Sequence, residues 1–421
     1  MLASGKRIEE LAMLTEAENR TLTQIGPGTP MGDLLRRYWQ PIAAVAELES
    51  VPVRPVRLLG EDLVLYRDDG GHIGLIERAC AHRLTDLAYG VREQYGLRCP
   101  LHGWLYNEEG RCLDMPWERE PYLNEVQLVA YPVEVKAGLV WAYMGPSLAP
   151  LLPEWEPFTW DDGLVQIVFT TLDCNWLQCQ ESTMDLFGAE WLQRASMPYA
   201  AGARFELQVH HHEIEYGFRN RADATAADGH EAVSFEQTSL WPNGVFAGDR
   251  RSCRFEWRVP LEDERTLNVA WFFDRAAPGH APGEDERFRH WYGRVRQDDS
   301  DPSSPYLTSH LLNRRFRLWL TKKTIDRTKE HLVDADRGIL LLRNRYFAQL
   351  DVLADGGQPK GLIRRESDNH AVRLPLEPRD EEPGREPDHA LEFPYIAGQP
   401  TDVAALYQRV RGSWLDEVHR T

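Results

Sequence analysis

No run of eighteen apolar residues occurs anywhere in the 421-residue chain, so it contains nothing of the length a bilayer core requires of a helix. The stretch from Met1 to Thr15 carries Lys6, Arg7, Glu9 and Glu10 and has no apolar segment of signal-peptide type, which argues against export. Cysteine is scarce. Of six residues, two are used below; Cys112, Cys174, Cys179 and Cys253 lack the density of a disulfide framework in a chain this long and are read as reduced, mostly buried thiols. Basic charge is in deficit, 48 Lys and Arg against 66 Asp and Glu for a net charge of -18, which removes the electrostatic footprint of a nucleic-acid binder. What is left is a soluble, cytoplasmic enzyme subunit with at least two cores and no internal repeat.

Against this background two short runs stand out. Cys80-Ala81-His82 and Cys99-Pro100-Leu101-His102, separated by sixteen residues, offer two thiolates and two imidazoles, the ligand set of a Rieske [2Fe-2S] cluster. In such a centre two cysteines hold one iron and two histidines the other, which raises the reduction potential above that of all-cysteine clusters. Arg83 follows the first pair and Gly103-Trp104 the second, so each pair is expected at a tight turn where backbone approaches sulfur. A structural zinc site would accept the same four residue types, but one intervening residue in the first pair is unusual for it.

Elsewhere the chain divides by pattern. Residues 1–45 read as an N-terminal helical segment, with Glu16 to Arg37 interrupted at Gly26-Pro27-Gly28-Thr29-Pro30 and a second helix from about Met31. Residues 46–150 read as a small antiparallel barrel or sandwich, because short apolar runs (Val56–Leu59, Leu63–Tyr66, Leu97–Cys99, Leu139–Tyr143) alternate with turn signals such as Asp68-Asp69-Gly70-Gly71. Pro146, Pro150, Pro153 and Pro157 then mark a boundary. Residues 151–421 mix strands (Leu164–Leu172, Phe205–Phe218, Arg254–Val259, Leu267–Phe273) with helices expected near Asn175–Arg194, Gly283–Arg296 and His331–Leu353, an α+β pattern built on an antiparallel sheet. Pro375 to Pro387 reads as a polar loop.

Four blocks, in order, carry a family resemblance: Leu22 to Gly32 with Arg37-Tyr38-Trp39; the cluster segment; Asn175-Trp176-Leu177-Gln178-Cys179-Gln180-Glu181; and Asp326-Arg327-Thr328-Lys329-Glu330-His331-Leu332. On these the chain resembles the α subunits of Rieske non-heme iron oxygenases, in particular the phthalate-dioxygenase-like group. The resemblance implies an N-terminal all-β Rieske domain, then a helix-grip domain of antiparallel sheet plus helices that holds a mononuclear iron. It also implies head-to-tail trimers, or multiples of three, in which one subunit's cluster feeds the next subunit's iron. Substrates of the family are aromatic acids and other small organic compounds.

The departure from the family lies in the second domain. Members carry Asp-x-x-His-x-x-x-x-His after Asn-Trp, and a later carboxylate completes a two-histidine, one-carboxylate triad for Fe(II). Here Asp185 is followed by Gly188 and Gln193 where the imidazoles are expected; glycine has no ligand atom and the glutamine amide is a weak neutral donor. From Pro302 to Ile325 there is neither Asp nor Glu, but Arg314, Arg315, Arg317, Lys322 and Lys323 instead; deletion and substitution of the third ligand are both open. A site without mononuclear Fe(II) is expected. His210-His211-His212, on a strand with side chains alternating faces, puts His210 and His212 together. That reads either as a rebuilt metal site with Asp185 or Glu190, or as a surface histidine cluster. Glu181 is read as a structural hydrogen-bonding residue.

In the family, the aspartate matching Asp185 bridges a cluster histidine of one chain and an iron-bound histidine of the next. Its presence here implies that the interface persists, with a histidine corresponding to His102 of a neighbouring chain as donor; the plain alternative is a helix carboxylate paired with a local base. Arg314, Arg315 or Arg317 is a candidate to enter the former iron cavity beside Asp185, since a buried carboxylate needs a partner. The leading expectation is a non-catalytic electron-transfer and structural subunit, fed by a ferredoxin or flavin reductase and assembled with an active α-type paralogue. The alternative is an active oxygenase that hydroxylates or demethylates a small aromatic compound with atypical iron ligands; a third reading is a free-standing binding or scaffold protein.

Overall fold

The computed structural model describes residues 13–120, 122–186, 205–226, 232–292, 311–322, 325–376 and 400–411. Helix α1 (Glu16–Thr23) begins in a capping box: the Thr15 hydroxyl accepts from the Glu18 amide (3.2 Å), and the Glu18 carboxylate accepts from the Thr15 amide (2.7 Å). Helix α2 (Pro30–Leu35) is started by Thr29 as cap and Pro30 in the first turn, so the Gly-Pro-Gly-Thr-Pro run is the break between the two helices.

The first domain contains the strands β1 (Gln40–Ala44), β2 (Val53–Leu58), β3 (Glu61–Arg67), β4 (Ile73–Glu77), β5 (Val91–Glu93), β6 (Gly96–Arg98), β7 (Leu105–Tyr106), β8 (Cys112–Asp114), β9 (Ala130–Tyr131), β10 (Val133–Lys136) and β11 (Leu139–Ala142), with helix α3 (Val45–Ser50) after β1. They form three antiparallel sheets in the orders β1-β11-β10, β2-β3-β4-β9 and β5-β6-β7-β8. The last sheet is a small module of short strands, and the two cysteine–histidine loops lie before and within it.

The second domain is one eight-stranded sheet with helices on it. Strands β12 (Gly163–Leu172), β13 (Phe205–Ile214), β14 (Gly217–Ala226), β15 (Ala232–Leu240), β16 (Gly244–Gly248), β17 (Ser252–Glu262), β18 (Arg265–Arg275) and β19 (Phe288–Tyr292) run in the order β13-β14-β15-β16-β17-β18-β12-β19. All neighbours are antiparallel except β12 and β19. Helices α4 (Trp176–Glu181), α5 (Leu311–Thr321), α6 (Arg337–Ala354) and α7 (Thr401–Arg411) complete it. Together with the first domain this is the α+β architecture expected.

Three local expectations differ. The segment expected as one strand over Phe205–Phe218 is a hairpin that turns before Gly217, whose φ is +145°. In place of a helix from Gly283, a short 3-10 turn at Glu284–Glu286 leads into β19, which gains its backbone partners by parallel pairing with β12. The helix expected from His331 begins at Arg337, after two 3-10 turns. Most of the loop from Pro375 lies outside the described residues.

Alternation of side chains along the strands gives the sheet two different faces. Phe255, Trp257, Trp271 and Phe273 lie on one and pack with Trp141, Trp155 and Phe158 from the first domain and the linker, in ring pairs with centroids from 5.0 to 6.4 Å apart. Full burial of each such ring stabilises by about 2–3 kcal/mol. The other face carries Arg254, Glu256 and Arg258 and is covered in part by α5, whose Leu312, Phe316 and Trp319 join Val168, Ala270 and Phe272 in a second cluster.

The N-terminal segment is bonded to the second domain. The Ile25 amide donates to Asp263 Oδ1 (2.9 Å), and the Asn175 side-chain amide donates to the carbonyls of Thr23 (3.0 Å) and Asp263 (2.6 Å). Trp241 Nε1 donates to the Tyr38 hydroxyl (2.6 Å), which in turn donates to the Lys360 carbonyl (2.7 Å).

Candidate metal centre and a buried charge cluster

Each cysteine–histidine pair sits in a backbone loop closed by its own hydrogen bonds. The Cys80 amide donates to the Thr85 carbonyl (2.9 Å) and the Leu84 amide to the Cys80 carbonyl (2.8 Å). In the second loop the Cys99 amide donates to the Trp104 carbonyl (2.8 Å) and the Gly103 amide to the Cys99 carbonyl (3.1 Å). Gly103 has φ +81°, and a Cβ there would meet Pro116 Cγ at 2.9 Å, so this turn needs glycine twice over. Arg98 clamps the second loop: it donates to the Gly103 carbonyl, to both Glu93 oxygens and to Asp114 Oδ2 (2.8 Å). Burial outweighed by these partners holds its guanidinium well above the ordinary arginine range, the Glu93 bonds contributing most.

The two loops bring the four side chains together. The rings of His82 and His102 have centroids 4.5 Å apart at 75°, and His82 stacks on Trp104 at 4.7 Å and 9°. Cys80 and Cys99 are buried, each within reach of the other's thiol, and Cys80 Sγ lies 3.3 Å from the Tyr106 hydroxyl. Burial pushes the Cys80 thiol up, as an apolar setting does to any isolated thiol. His82 Nδ1 is buried without a hydrogen-bond partner. A ring nitrogen that is desolvated yet uncompensated suits metal ligation. Among the described residues no three His, Cys, Asp or Glu side chains converge as a single ion would require, and a cluster whose two irons take two protein ligands each does not require it. The residues present fit a [2Fe-2S] cluster held by Cys80, Cys99, His82 and His102, which would supply one-electron chemistry.

In the second domain, Gly188 and Gln193 lie outside the described residues. Asp185 is half-buried, just beyond α4. Glu181, one turn before it, is a buried structural carboxylate: it accepts from Arg327 (3.0 and 2.8 Å) and Arg343 (2.7 Å). Burial alone would raise its carboxyl, but the two arginines pull it down to about 2. Of the histidine triplet, His210 and His212 are exposed. His211 points inward, with Nδ1 2.8 Å from Asn220 Oδ1 and its ring against Gly338, and burial pushes its imidazole down. Of the two readings of the triplet, the exposure of His210 and His212 is that of a surface cluster, and the strand's inward phase falls on His211.

Of the three candidate arginines, Arg314 and Arg317 are half-buried and Arg315 is only 8% exposed. Arg315 lies on the inner face of α5 with Leu312, Phe316 and Trp319, and it feels the charges of Arg254, Glu256, Arg258 and Asp185. Burial, reinforced by Arg254, pushes its guanidinium down to about 10. Below it, Glu256 is shared by Arg254 (Nε to Oε1 2.8 Å) and Arg258 (Nη2 to Oε2 3.3 Å), all three essentially without solvent contact. Sequence reasoning passed over this cluster, although Arg-x-Glu-x-Arg within Arg254–Val259 carries the two-residue period that puts three charges on one face of a strand.

Comparison with known proteins agrees with this geometry. A family model described as the Rieske [2Fe-2S] domain matches residues 38–132. The chain is 39% identical over 420 residues to the 5,5'-dehydrodivanillate O-demethylase oxygenase subunit of Sphingobium sp. (strain SYK-6), covering 94% of this chain and 96% of the relative. It is 31% identical to the phenoxybenzoate dioxygenase subunit alpha of Ectopseudomonas oleovorans, over 82% of this chain and 88% of the relative. The terminal oxygenase of carbazole 1,9a-dioxygenase from Novosphingobium sp. KA1 has the same fold, with a TM-score of 0.53 at 21% identity over 78% of this chain and 96% of that one. The chain therefore belongs to the family of Rieske oxygenase α subunits.

Proposed function

We propose that this chain is an α-type subunit whose second domain no longer activates oxygen. It would relay electrons from a ferredoxin or flavin reductase to an active paralogue in a head-to-tail trimer or multiple of three. The observation that carries the reading is Arg315, a buried guanidinium in the field of Asp185 on the sheet face that α4 and α5 cover. A fixed positive charge there repels a divalent cation. Gly188 and Gln193 in the positions of the two imidazoles, and the absence of acid from Pro302 to Ile325, point the same way. In this role the first domain's residues hold the cluster, and Asp185 orients a histidine corresponding to His102 of the neighbouring chain. Iron analysis of the purified chain tests the proposal: two irons per chain are expected, and three would refute it. Mixing with a candidate paralogue, its reductase and its substrate is expected to raise turnover above that of the paralogue alone.

One observation favours a second reading. The identity of 39% with an O-demethylase oxygenase subunit runs through nearly the whole chain, as it would if this chain demethylated a methoxylated aromatic compound with atypical iron ligands. Three irons per chain and turnover by the chain alone are the results that select it.

A further inference from the structure

Two cysteines outside the cluster meet in the core. The Asn175 side chain caps α4, which makes Cys174 the residue before the cap and Cys179 the fourth residue of the helix. Side chains at these two positions pack against each other across a helix start, ordinarily as an apolar pair. Here the pair is two thiols: Cys174 Sγ and Cys179 Sγ stand 3.5 Å apart, and solvent reaches neither. Leu172 and Trp319 belong to the same apolar cluster. Local bonds hold both residues in place, with the Thr266 hydroxyl donating to the Cys174 carbonyl (2.9 Å) and the Cys179 thiol to the Asn175 carbonyl (3.7 Å).

The contact sets this pair apart from the other thiols outside the cluster. Cys253 is as deeply buried, but among the described residues no thiol stands beside it. Cys112 donates to the Asp114 carbonyl (3.6 Å). A sulfur–sulfur bond is about 2.0 Å long, so Cys174 Sγ and Cys179 Sγ need to approach by roughly 1.5 Å, within the swing of two sulfurs about their Cα–Cβ bonds. Thr171 and Asp173, just before Cys174, are exposed, so a slight opening of this turn admits a small molecule to the Cys174 sulfur. Every residue of α4 is buried, which leaves Cys179 without such an approach, and burial pushes its thiol well up.

We infer that Cys174 and Cys179 are a modification site, a dithiol that a hydroperoxide from solution converts to a disulfide. The Cys174 sulfur, as thiolate, attacks one peroxide oxygen; the O–O bond breaks, a sulfenic acid forms on Cys174, and the second oxygen leaves with a proton as water or alcohol. The Cys179 sulfur then attacks the Cys174 sulfur. The S–S bond forms, the S–O bond breaks, and the hydroxide takes the Cys179 thiol proton and leaves as water. The two sulfurs lose two electrons and the peroxide gains them; a dithiol reductant reverses the change by exchange. Asn175 lies between the two cysteines, and its amide holds the Thr23 and Asp263 carbonyls, so the new bond fixes the anchor of the N-terminal segment. The inference uses no cluster ligand and holds under either reading of the second domain.

The test uses the full chain with its cluster, reduced and freed of reductant. It is treated with hydrogen peroxide, quenched with catalase, alkylated in denaturant and mapped by peptide mass spectrometry. Expected is a peptide with both cysteines that has lost two hydrogens and both alkylation sites and regains them with dithiothreitol, formed at least about tenfold faster than any oxidation of Cys253. Cys179→Ala is expected to leave Cys174 as a sulfenic acid that dimedone labels, and Cys174→Ala to leave Cys179 unlabelled. Should either variant fail to fold, phenylarsine oxide on the wild-type chain is expected to bridge these two thiols and to block the disulfide, since trivalent arsenic bonds two adjacent sulfurs. Both thiols still alkylated once Cys253 has begun to oxidise, oxidation of Cys174 to sulfinic acid with no disulfide, or a dimedone label on Cys179 in place of Cys174 would overturn the inference.

Discussion

Replacing Glu181 by glutamine removes the one negative charge shared by Arg327 and Arg343, both of them essentially inaccessible to solvent. Arg343 retains Glu330 at 2.7 Å, but among the described residues Arg327 keeps only Asn19 Oδ1 at 3.4 Å and the Ile325 carbonyl at 3.5 Å. Breaking a buried pair by neutralising one partner costs about 3–5 kcal/mol. The lowered carboxyl leads to a similar figure: a fall from an ordinary 4.5 to about 2 corresponds to about 3 kcal/mol. Because the folded-state value is depressed, this stabilisation is complete above about pH 4.5 and disappears as the pH falls toward 2. Urea unfolding followed by tryptophan fluorescence, for wild type and Glu181→Gln at pH 6 and pH 3, checks both numbers. The difference in stability is expected to be about 3–4 kcal/mol at pH 6 and about 2 kcal/mol smaller at pH 3. The exposed pair Arg365–Asp368 serves as control, since solvent screens it and Asp368→Asn is expected to leave the unfolding midpoint essentially unchanged. A pH 6 difference below about 1 kcal/mol, or one that does not shrink on acidification, would refute the electrostatic account.

Three further outcomes are expected. Tyr106→Phe removes the hydroxyl 3.3 Å from Cys80 Sγ; the more negative, reduced cluster loses that donor, so its midpoint potential in voltammetry is expected to fall by about 60 mV, the equivalent of ~1.4 kcal/mol for one electron. Gly103→Ala puts a side chain at φ +81° against Pro116, a cost of about 1–2 kcal/mol before the contact is counted, so visible absorbance and iron content are expected to drop while the second domain's melting is unchanged. Asn175→Ala deletes a helix cap on Leu177 (3.0 Å) and two donations to the Thr23 and Asp263 carbonyls, which is expected to cost about 3 kcal/mol in thermal melting and to speed proteolysis within residues 13–44.

Much of the fold is legible because local and global signals agree. Thr15 with Glu18, and Thr29 with Pro30, announce both N-terminal helices, and the Cys-x-His and Cys-x-x-His spacing announces the two loops. Where tertiary pairing decides, the local pattern misleads: the segment after Gly283 reads as helix, yet five residues of it become an edge strand because β12 offers its backbone groups there. The acid-free basic stretch is visible in the sequence, but choosing among its three arginines needs the phase of α5. Leu312, Arg315, Phe316 and Trp319 follow the spacing of an inward helical stripe, and that spacing selects Arg315. The charges on β17 escape a residue-by-residue reading because their meaning lies in sharing one side of a pleat.

The attachment of residues 16–44 to the far domain has a practical meaning for engineering. Thr23, Ile25, Tyr38 and Gln40 all make long-range bonds to residues beyond position 170, so the segment that precedes the redox module is tied to the sheet that follows it. A chimera that borrows this module from another subunit must be spliced at both of its edges, between α2 and β1, whose sheet partner is β11, and within the proline-marked linker. Grafting the preceding segment along with it would import a foreign strap and leave Asn175, Asp263 and Trp241 facing partners they do not recognise.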